Sequence, residues 1–383
     1  ITRIKRQMEQ LQVSPARKVA TKRMKPIKER WTATPLESVE QIFDVMKAEE
    51  VLPSDLGIKE TIGKKRGLMW PRGHALKHPA MELLMEYAEK GCPVDCGRDW
   101  TVEEIEAALL HGPHKSAKSP EAAAALRDET LQKVKNGYAK IVRYGDIRHR
   151  LPKNLKISPC ACIPHKSRKF RVILDLSFAL QMESHRVPSV NEATTPLSKE
   201  ASMAQLGSTI KRIVQTMAEN FDKSKPFVFS KLDIKDGFWR LCVSEEDAWN
   251  FAYVLPAENP TNSIDDIQIV VPDALQMGWC ESPPFFCTAS ETARDVIQEL
   301  WETGTVLEEH PLECKMKYMD VTESCPSSPA TLIEVYVDDY IGITNDISCE
   351  KLQRLSRCML HGIHSIFPPP DVTGHDGEHS IAE

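Results

Sequence analysis

The strongest constraint on the fold is a pair of adjacent acids, Asp338 and Asp339, between two apolar, β-branched runs at residues 332–343. Such runs are typical of β-strands, and a short polar break between them predicts a hairpin with both carboxylates at its tip. Adjacent carboxylates raise each other's pKa unless a cation neutralises them, which favours a divalent-metal site. An ordinary Asp-Asp turn is the alternative.

A second strand-like run, at residues 227–234, contains Asp233 near its end, and Asp236 and Phe238 follow shortly after it. A strand-end carboxylate beside the hairpin pair supplies three ligands, enough to hold two hard cations with water and substrate phosphates completing the coordination. The three acids therefore predict a phosphoryl-transfer site.

The pattern of secondary structure changes along the 383 residues, a length that favours two to three domains. Helical segments at 35–50, 79–90, 101–110 and 120–136 begin with capping residues or Pro. From about residue 157, short apolar runs predict strands at 160–163, 171–176, 227–234, 267–271 and 332–337. Helical segments at 199–221 and 282–301 separate some of them. The predicted fold class is α+β.

Composition excludes several classes of protein. Apolar residues make up 41% and charged residues 27% of the chain, which argues against collagen-like, disordered or membrane-embedded chains. We expect no contact with a membrane, because no uninterrupted apolar run approaches the roughly 18 residues that span one. Eleven scattered cysteines predict reduced, mostly buried thiols of an intracellular protein, with cytoplasm and nucleus equally compatible.

Basic residues are concentrated in two blocks. Residues 1–30 hold ten Lys and Arg against two acids, and residues 138–171 hold ten against one. Such blocks suit contacts with a phosphate backbone, but a solvated protein face is the commoner explanation. Charge alone leaves both open.

A second possible metal set is Cys92, Cys96, His111 and His114. The interval between the histidines is shorter than zinc modules use, and residues 101–110 predict a helix with its own capping box. We predict two core thiols and no zinc.

Four segments, taken in order, resemble the motifs of reverse transcriptases from retroviruses and long-terminal-repeat retrotransposons. Residues 163–176 look like the fingers hairpin, and three later segments look like palm motifs: the one around Asp233, residues 275–283, and the hairpin at 336–339. The resemblance covers about residues 151–343. It implies polymerase fingers and palm with an antiparallel sheet and flanking helices, preceded by a mainly helical N-terminal region.

The resemblance also implies the metal ligands. Asp233 and Asp338 would hold two Mg²⁺ ions, with Mn²⁺ as an alternative, and the Ile234 carbonyl would be an extra donor. Asp339 would support the metal nearest the primer terminus. The implied reaction is in-line attack of a primer 3′-hydroxyl on the α-phosphate of a deoxynucleoside triphosphate.

Nucleotide-binding residues are implied in the same way. Arg171 would contact the triphosphate, and Lys166 or His165 would be a second phosphate-binding cation. Asp236 and Gly237 would offer backbone amides to the triphosphate.

Two further positions belong to this set. Phe238 would stack under the sugar and exclude a 2′-hydroxyl, unless it is ordinary core packing. Gly278 would mark a close approach of backbone to nucleotide or template. Met277 departs from the retroviral pattern, which has Gln at this place.

We therefore expect template-directed DNA synthesis on RNA or DNA, with template, primer and deoxynucleotides as partners. The expected organisation is a basic tail or linker at 1–30, a helical region at 31–116, a fingers-like part at 117–225 and a palm-like part at 226–383. The 44 residues after Asp339 are too few for a primer grip and thumb, which predicts a piece of a longer polyprotein.

Two other functions remain open. The first is a catalytically inactive relic or fragment that only binds nucleic acid. The second is an RNA-dependent RNA polymerase, which the bulky Phe238 disfavours because RNA synthesis needs room for the 2′-hydroxyl.

Overall fold

The computed structural model describes residues 80–166, 169–203, 205–222, 225–258, 263–316, 329–367 and residue 381. The basic block at 1–30, the helix predicted at 35–50 and residues 317–328 lie outside these ranges.

Within the described ranges the chain alternates helices and short strands. The α-helices are α1 (Met81–Lys90), α2 (Val102–His111), α3 (Pro120–Lys135), α4 (Tyr144–Ile147), α5 (Val190–Ala193), α6 (Thr209–Glu219), α7 (Ser282–Glu302) and α8 (Cys349–His364). The strands are β1 (Ala139–Arg143), β2 (Cys160–Pro164), β3 (Phe170–Leu174), β4 (Leu180–Gln181), β5 (Arg186–Val187), β6 (Val228–Asp233), β7 (Tyr253–Val254), β8 (Gln268–Pro272), β9 (Thr331–Tyr336) and β10 (Asp339–Thr344).

The second and third helices begin where their capping residues predict. Thr101 and Glu104 form the predicted capping box before α2. Ser119 caps α3 and Pro120 occupies its first turn. These local signals place the helix starts to within a residue or two of the predicted positions.

The strands form small antiparallel sheets, so the α+β prediction is confirmed. Sheet A has the order β6–β10–β9, and sheet B has the order β1–β8–β7. β2 and β3 pair as a separate hairpin, and so do β4 and β5. The five strands predicted from sequence all occur, with ends shifted by up to two residues.

One face of sheet A packs on α7 and α8. Leu232, Tyr340 and Val335 lie on this face and are buried. The hydroxyl of Tyr340 donates to the carbonyl of Ser290 in α7, at 3.0 Å. Because side chains alternate between the two faces of a strand, burying this face fixes which residues point the other way.

A buried ion network ties β9 to two helices. Glu334, which is fully buried, accepts hydrogen bonds from Arg212 of α6 at 2.5 Å. Arg294 of α7 lies 3.7 Å from the same carboxylate and donates to the backbone carbonyl of Ile333 at 2.6 Å. Two guanidinium groups therefore compensate the one buried carboxylate.

Half of the ten cations in the basic block at 138–171 form surface ion pairs within the chain. Five of its cations pair with carboxylates of this chain: Lys140 with Glu245, Arg143 with Asp146, Arg148 with Asp265, Lys153 with Glu246, and Lys169 with Glu121. Lys156 is buried and donates to Asn250. Net charge in this block is therefore weak support for a phosphate-binding surface, and the alternative of a solvated face fits better.

The ten described cysteines are free, and seven of them are buried, as predicted. Burial raises the pKa of the Cys96 thiol to about 11, which keeps it protonated and unreactive at neutral pH. Among the described residues, no helix is long and apolar enough to cross a membrane.

Gly362 of α8 lies directly against the backbone of α7. A Cβ at this position would meet the side chain of Ile297 and come within 3.1 Å of its Cα and N atoms. We expect Gly362→Ala to lower the free energy of unfolding by about 1–3 kcal/mol, because overpacking outweighs the gain in helix propensity. Urea denaturation measures this change.

Gly207→Ala is the matched control, since a Cβ there meets nothing within 4 Å. Its unfolding free energy should change by less than about 0.5 kcal/mol. An equal effect of the two substitutions would contradict the close approach of α7 and α8.

Candidate metal centre and adjoining cleft

Three carboxylates from adjacent strands of sheet A converge on one point. Asp233 is the last residue of β6, and Asp338 and Asp339 lie at the tip of the β9–β10 hairpin. Each offers an oxygen, and the three oxygens lie within 4.8 Å of one another. The structure thus brings together the three acids that the sequence singled out.

Strand pairing accounts for this convergence. Asp339 is the register partner of Asp233, so both side chains point to the same face of sheet A. The amide of Ile234 donates to the carbonyl of Asp338, at 3.2 Å, and extends the pairing past the carboxylates.

The hairpin turn itself is strained. Tyr336 pairs with Asp339, which leaves a two-residue turn of Val337 and Asp338. Val337 has φ 59°, a left-handed conformation that β-branched residues rarely adopt and that Gly favours at the first position of such a turn. Strain of this kind persists where the surrounding structure enforces it, and it clusters at functional sites.

Burial and mutual repulsion make the centre favour positive charge. Burial, followed by the charges of Asp338 and Asp339, raises the pKa of Asp233 to about 6. Burial also raises the pKa of Asp338 above its ordinary value. Lys231 pairs with Asp339 at 2.8 Å and offsets part of the negative charge. Three oxygen donors with this excess of charge suit a hard divalent cation such as Mg²⁺.

A cleft of about 710 Å³ adjoins the centre. Its lining includes most of the residues expected to contact nucleotide or metal: Arg171, Asp233, Ile234, Asp236, Gly237, Phe238 and Asp338. The β2–β3 hairpin and sheet A therefore both contribute residues to the lining of this cleft.

The segment after β6 forms one wall of this cleft. Asp236 has φ 57° and begins a short 3₁₀ turn at Gly237–Arg240. A Cβ at Gly237 would lie in van der Waals contact with the side chain of Asp338, 3.4 Å from its Cβ, so the backbone here lies close to the three carboxylates. Phe238 lines the cleft and also packs edge-to-face on Phe286, with ring centroids 5.5 Å apart. Phe238 thus packs on the core and also faces the cleft, where the predicted contact with a sugar stays a prediction.

Arg171 reaches the cleft from β3. Its Nη2 donates to the sulfur of Met277 at 2.8 Å, and its charge lowers the pKa of Asp338 against the larger effect of burial. A thioether is a weak acceptor, so a phosphate oxygen would displace it readily.

Two expected nucleotide-binding residues are not in the described lining of the cleft. Lys166 lies in the turn between β2 and β3, next to His165. Gly278 has φ 103°, and a Cβ there would lie 3.0 Å from the carbonyl oxygen of Leu174. The close approach expected at Gly278 is thus made to β3 of this chain.

Three residues near the site were missed from the sequence: Lys133, Lys231 and Trp239. Lys231 could have been found, because it stands two residues before Asp233 and hence on the same strand face. Lys133 carries no local signal, since it lies 103 residues before its partner Asp236.

The two Cys and two His residues considered for zinc make separate contacts within the fold. Cys92 and Cys96 are buried, as predicted. His111 packs on Phe178 with ring centroids 4.6 Å apart, and His114 caps the 3₁₀ turn at Lys115–Ala117.

Comparisons of the chain with protein-family models and with curated proteins found no match. The geometry of the centre and its cleft therefore has to carry any functional interpretation.

We expect Mg²⁺ to raise the melting temperature more at about pH 7.5 than at about pH 5. The pKa of Asp233 is about 6 in the folded chain, above the value of about 3.9 for an unfolded Asp. Protonation of Asp233 therefore stabilises the metal-free fold as the pH falls through 6, and the same proton competes with Mg²⁺. Thermal denaturation with and without Mg²⁺ at the two pH values measures this difference.

Two variants control this experiment. Asp233→Asn should remove most of the Mg²⁺ effect, whereas Asp265→Asn, which alters a surface acid paired with Arg148, should leave it unchanged. A pH-independent Mg²⁺ effect that survives in Asp233→Asn would contradict a metal centre at this place.

Proposed function

We propose that the chain is the fingers and palm part of a reverse transcriptase of the retrovirus and long-terminal-repeat retrotransposon type. It would synthesise DNA from deoxynucleoside triphosphates on an RNA or DNA template. The observation that carries this proposal is the convergence of Asp233, Asp338 and Asp339 within 4.8 Å at a cleft also lined by Arg171 and Phe238. In this proposal β2 and β3 belong to the fingers, and sheet A is the palm.

The three carboxylates would hold two Mg²⁺ ions, with the Ile234 carbonyl as a further donor. Bound there, the ions would supply activation of the primer 3′-hydroxyl and stabilisation of the pyrophosphate leaving group. The chain's own contribution is to fix the ligands: sheet A holds them on rigid strands, and the buried face of the sheet sets their register.

Side chains around the cleft would orient the nucleotide. The planar guanidinium of Arg171 would exchange its contact with Met277 for two phosphate oxygens. Phe238, held against Phe286, would form the floor under the sugar and leave no room for a 2′-hydroxyl. Gly237 keeps the backbone close to Asp338, where a side chain would fill the space.

We expect Asp338→Asn to reduce Mg²⁺-dependent extension of a DNA primer on an RNA template by about 100-fold or more, because a lost metal ligand costs several kcal/mol of transition-state stabilisation. Single-nucleotide extension by the full chain, followed on a gel, measures the rate. Asp265→Asn is the matched control and should extend normally, because Asp265 pairs with Arg148 and does not line the cleft.

The outcomes separate the two functions that the sequence left open. Extension that persists in Asp338→Asn would contradict the proposed mechanism. Binding of primer-template by the unaltered chain without any extension would favour an inactive nucleic-acid-binding relic.

We expect Phe238→Ala to admit ribonucleotides. Removing the ring opens the space that a 2′-hydroxyl needs, and the ratio of kcat/KM for deoxynucleotide over ribonucleotide should fall by about tenfold or more. Phe221→Ala, which removes an exposed ring, should leave the ratio unchanged. An unchanged ratio in a folded Phe238→Ala variant would assign Phe238 to core packing alone.

A further inference from the structure

A lysine from outside the motif segments reaches the same cleft. Lys133 lies near the end of α3, and its Nζ donates to Oδ1 of Asp236 at 2.5 Å. Only 13% of its side chain is exposed to solvent, and both residues line the cleft. A charged ammonium is thus enclosed next to the wall that carries Gly237 and Phe238.

Two aromatic rings hold this ammonium in place. Nζ lies 5.1 Å from the ring centroid of Trp239 and 5.5 Å from that of Tyr138. Such contacts favour a cation and are strongest when water is largely excluded. An ammonium group has three N–H donors, and the bond to Asp236 accounts for one of them.

Besides Lys133, two cations line the cleft in the described chain: Arg171, which is expected to contact phosphate, and Lys235. The second cation expected from the sequence, Lys166, is not among the residues that line the cleft in the described chain. A triphosphate carries several negative charges, and the nearby carboxylates would repel it. A further cation inside the cleft would therefore offset the repulsion between the triphosphate and these carboxylates.

We propose that Lys133 is a second phosphate-binding cation of this cleft, which engages the triphosphate of the incoming deoxynucleotide together with Arg171. Asp236 is its counter-ion in the absence of nucleotide. This inference rests on the proposed function, because it assigns one more contact to the same substrate.

The simpler role for Lys133 is to neutralise Asp236 and nothing else. The two roles differ once the charge of Asp236 is removed. If Lys133 only neutralises Asp236, Lys133→Met should not change triphosphate affinity in the Asp236→Asn background, where that charge is absent. A phosphate ligand still loses its contact when Lys133→Met is combined with Asp236→Asn.

Calorimetric titration of the full chain tests this difference. The probes are a deoxynucleoside triphosphate with Mg²⁺ and inorganic tripolyphosphate with Mg²⁺. We expect Lys133→Met to weaken both by about tenfold, the effect of losing one hydrogen bond to a charged group. The loss should persist at about tenfold in the Asp236→Asn background.

Lys140→Met is the matched control. Lys140 also pairs with a carboxylate, Glu245 at 3.1 Å, and also lies over an aromatic ring, that of Trp249 at 5.1 Å. It is not part of the cleft lining, so its removal should leave the affinity for both probes unchanged. If Lys133→Met unfolds because Asp236 is left unpaired, the double variant, which has no such charge, decides the matter.

Three results would overturn the inference. An effect of Lys133→Met that disappears in Asp236→Asn would make Lys133 a counter-ion only. Unchanged affinity in Lys133→Met, with binding still lost in Asp233→Asn, would overturn the role of Lys133 and leave the proposed function intact. Failure of the unaltered chain to bind either probe would count against the proposed function and this inference together.

Discussion

The antiparallel pairing of β6 with β10 places Asp233 directly opposite Asp339, and the rest of the site depends on this register. Like charges in this position destabilise a sheet, so the register must be secured elsewhere. The opposite face provides it: Leu232 and Tyr340 are buried against helices, and Gly342 leaves room for Met359 of α8. A slip of one residue would expose this face and bury the carboxylates. The repulsion between Asp233 and Asp339 therefore persists in the folded chain, where a bound cation would relieve it.

Rigid support extends from the sheet to the helices behind it. The carboxylate of Glu334 connects β9 to Arg212 and Arg294, two cations on different helices. Removing the Glu334 carboxylate would take this partner from both cations, and breaking a buried ion pair costs about 3–5 kcal/mol. The network therefore fixes the hairpin that carries Asp338 and Asp339, as a metal centre requires of its supporting residues.

In this protein the surroundings of individual cations indicate a binding site better than the net charge of a segment does. Five of the ten cations of the basic block at 138–171 pair with acids of this chain, Lys140 and Arg148 among them. Three cations of the described chain line the cleft, Lys235 among them, and the other two have partners within it: a thioether for Arg171 and a carboxylate in the cleft wall for Lys133. Substrate binding in the proposed polymerase would therefore depend on these two positions more than on net charge.

The sequence by itself determined the local elements: the capped starts of α2 and α3, the strands, and the hairpin that presents Asp338 and Asp339. Each follows from neighbouring residues, through capping chemistry or the two-residue period of a strand. It also identified Asp233 as the third acid. Tertiary structure alone decided that β6 pairs beside β10, that Gly278 packs on β3, and that Lys133 meets Asp236 across 103 residues. Such contacts depend on how whole elements pack, and a single sequence carries no periodic or local signal of them.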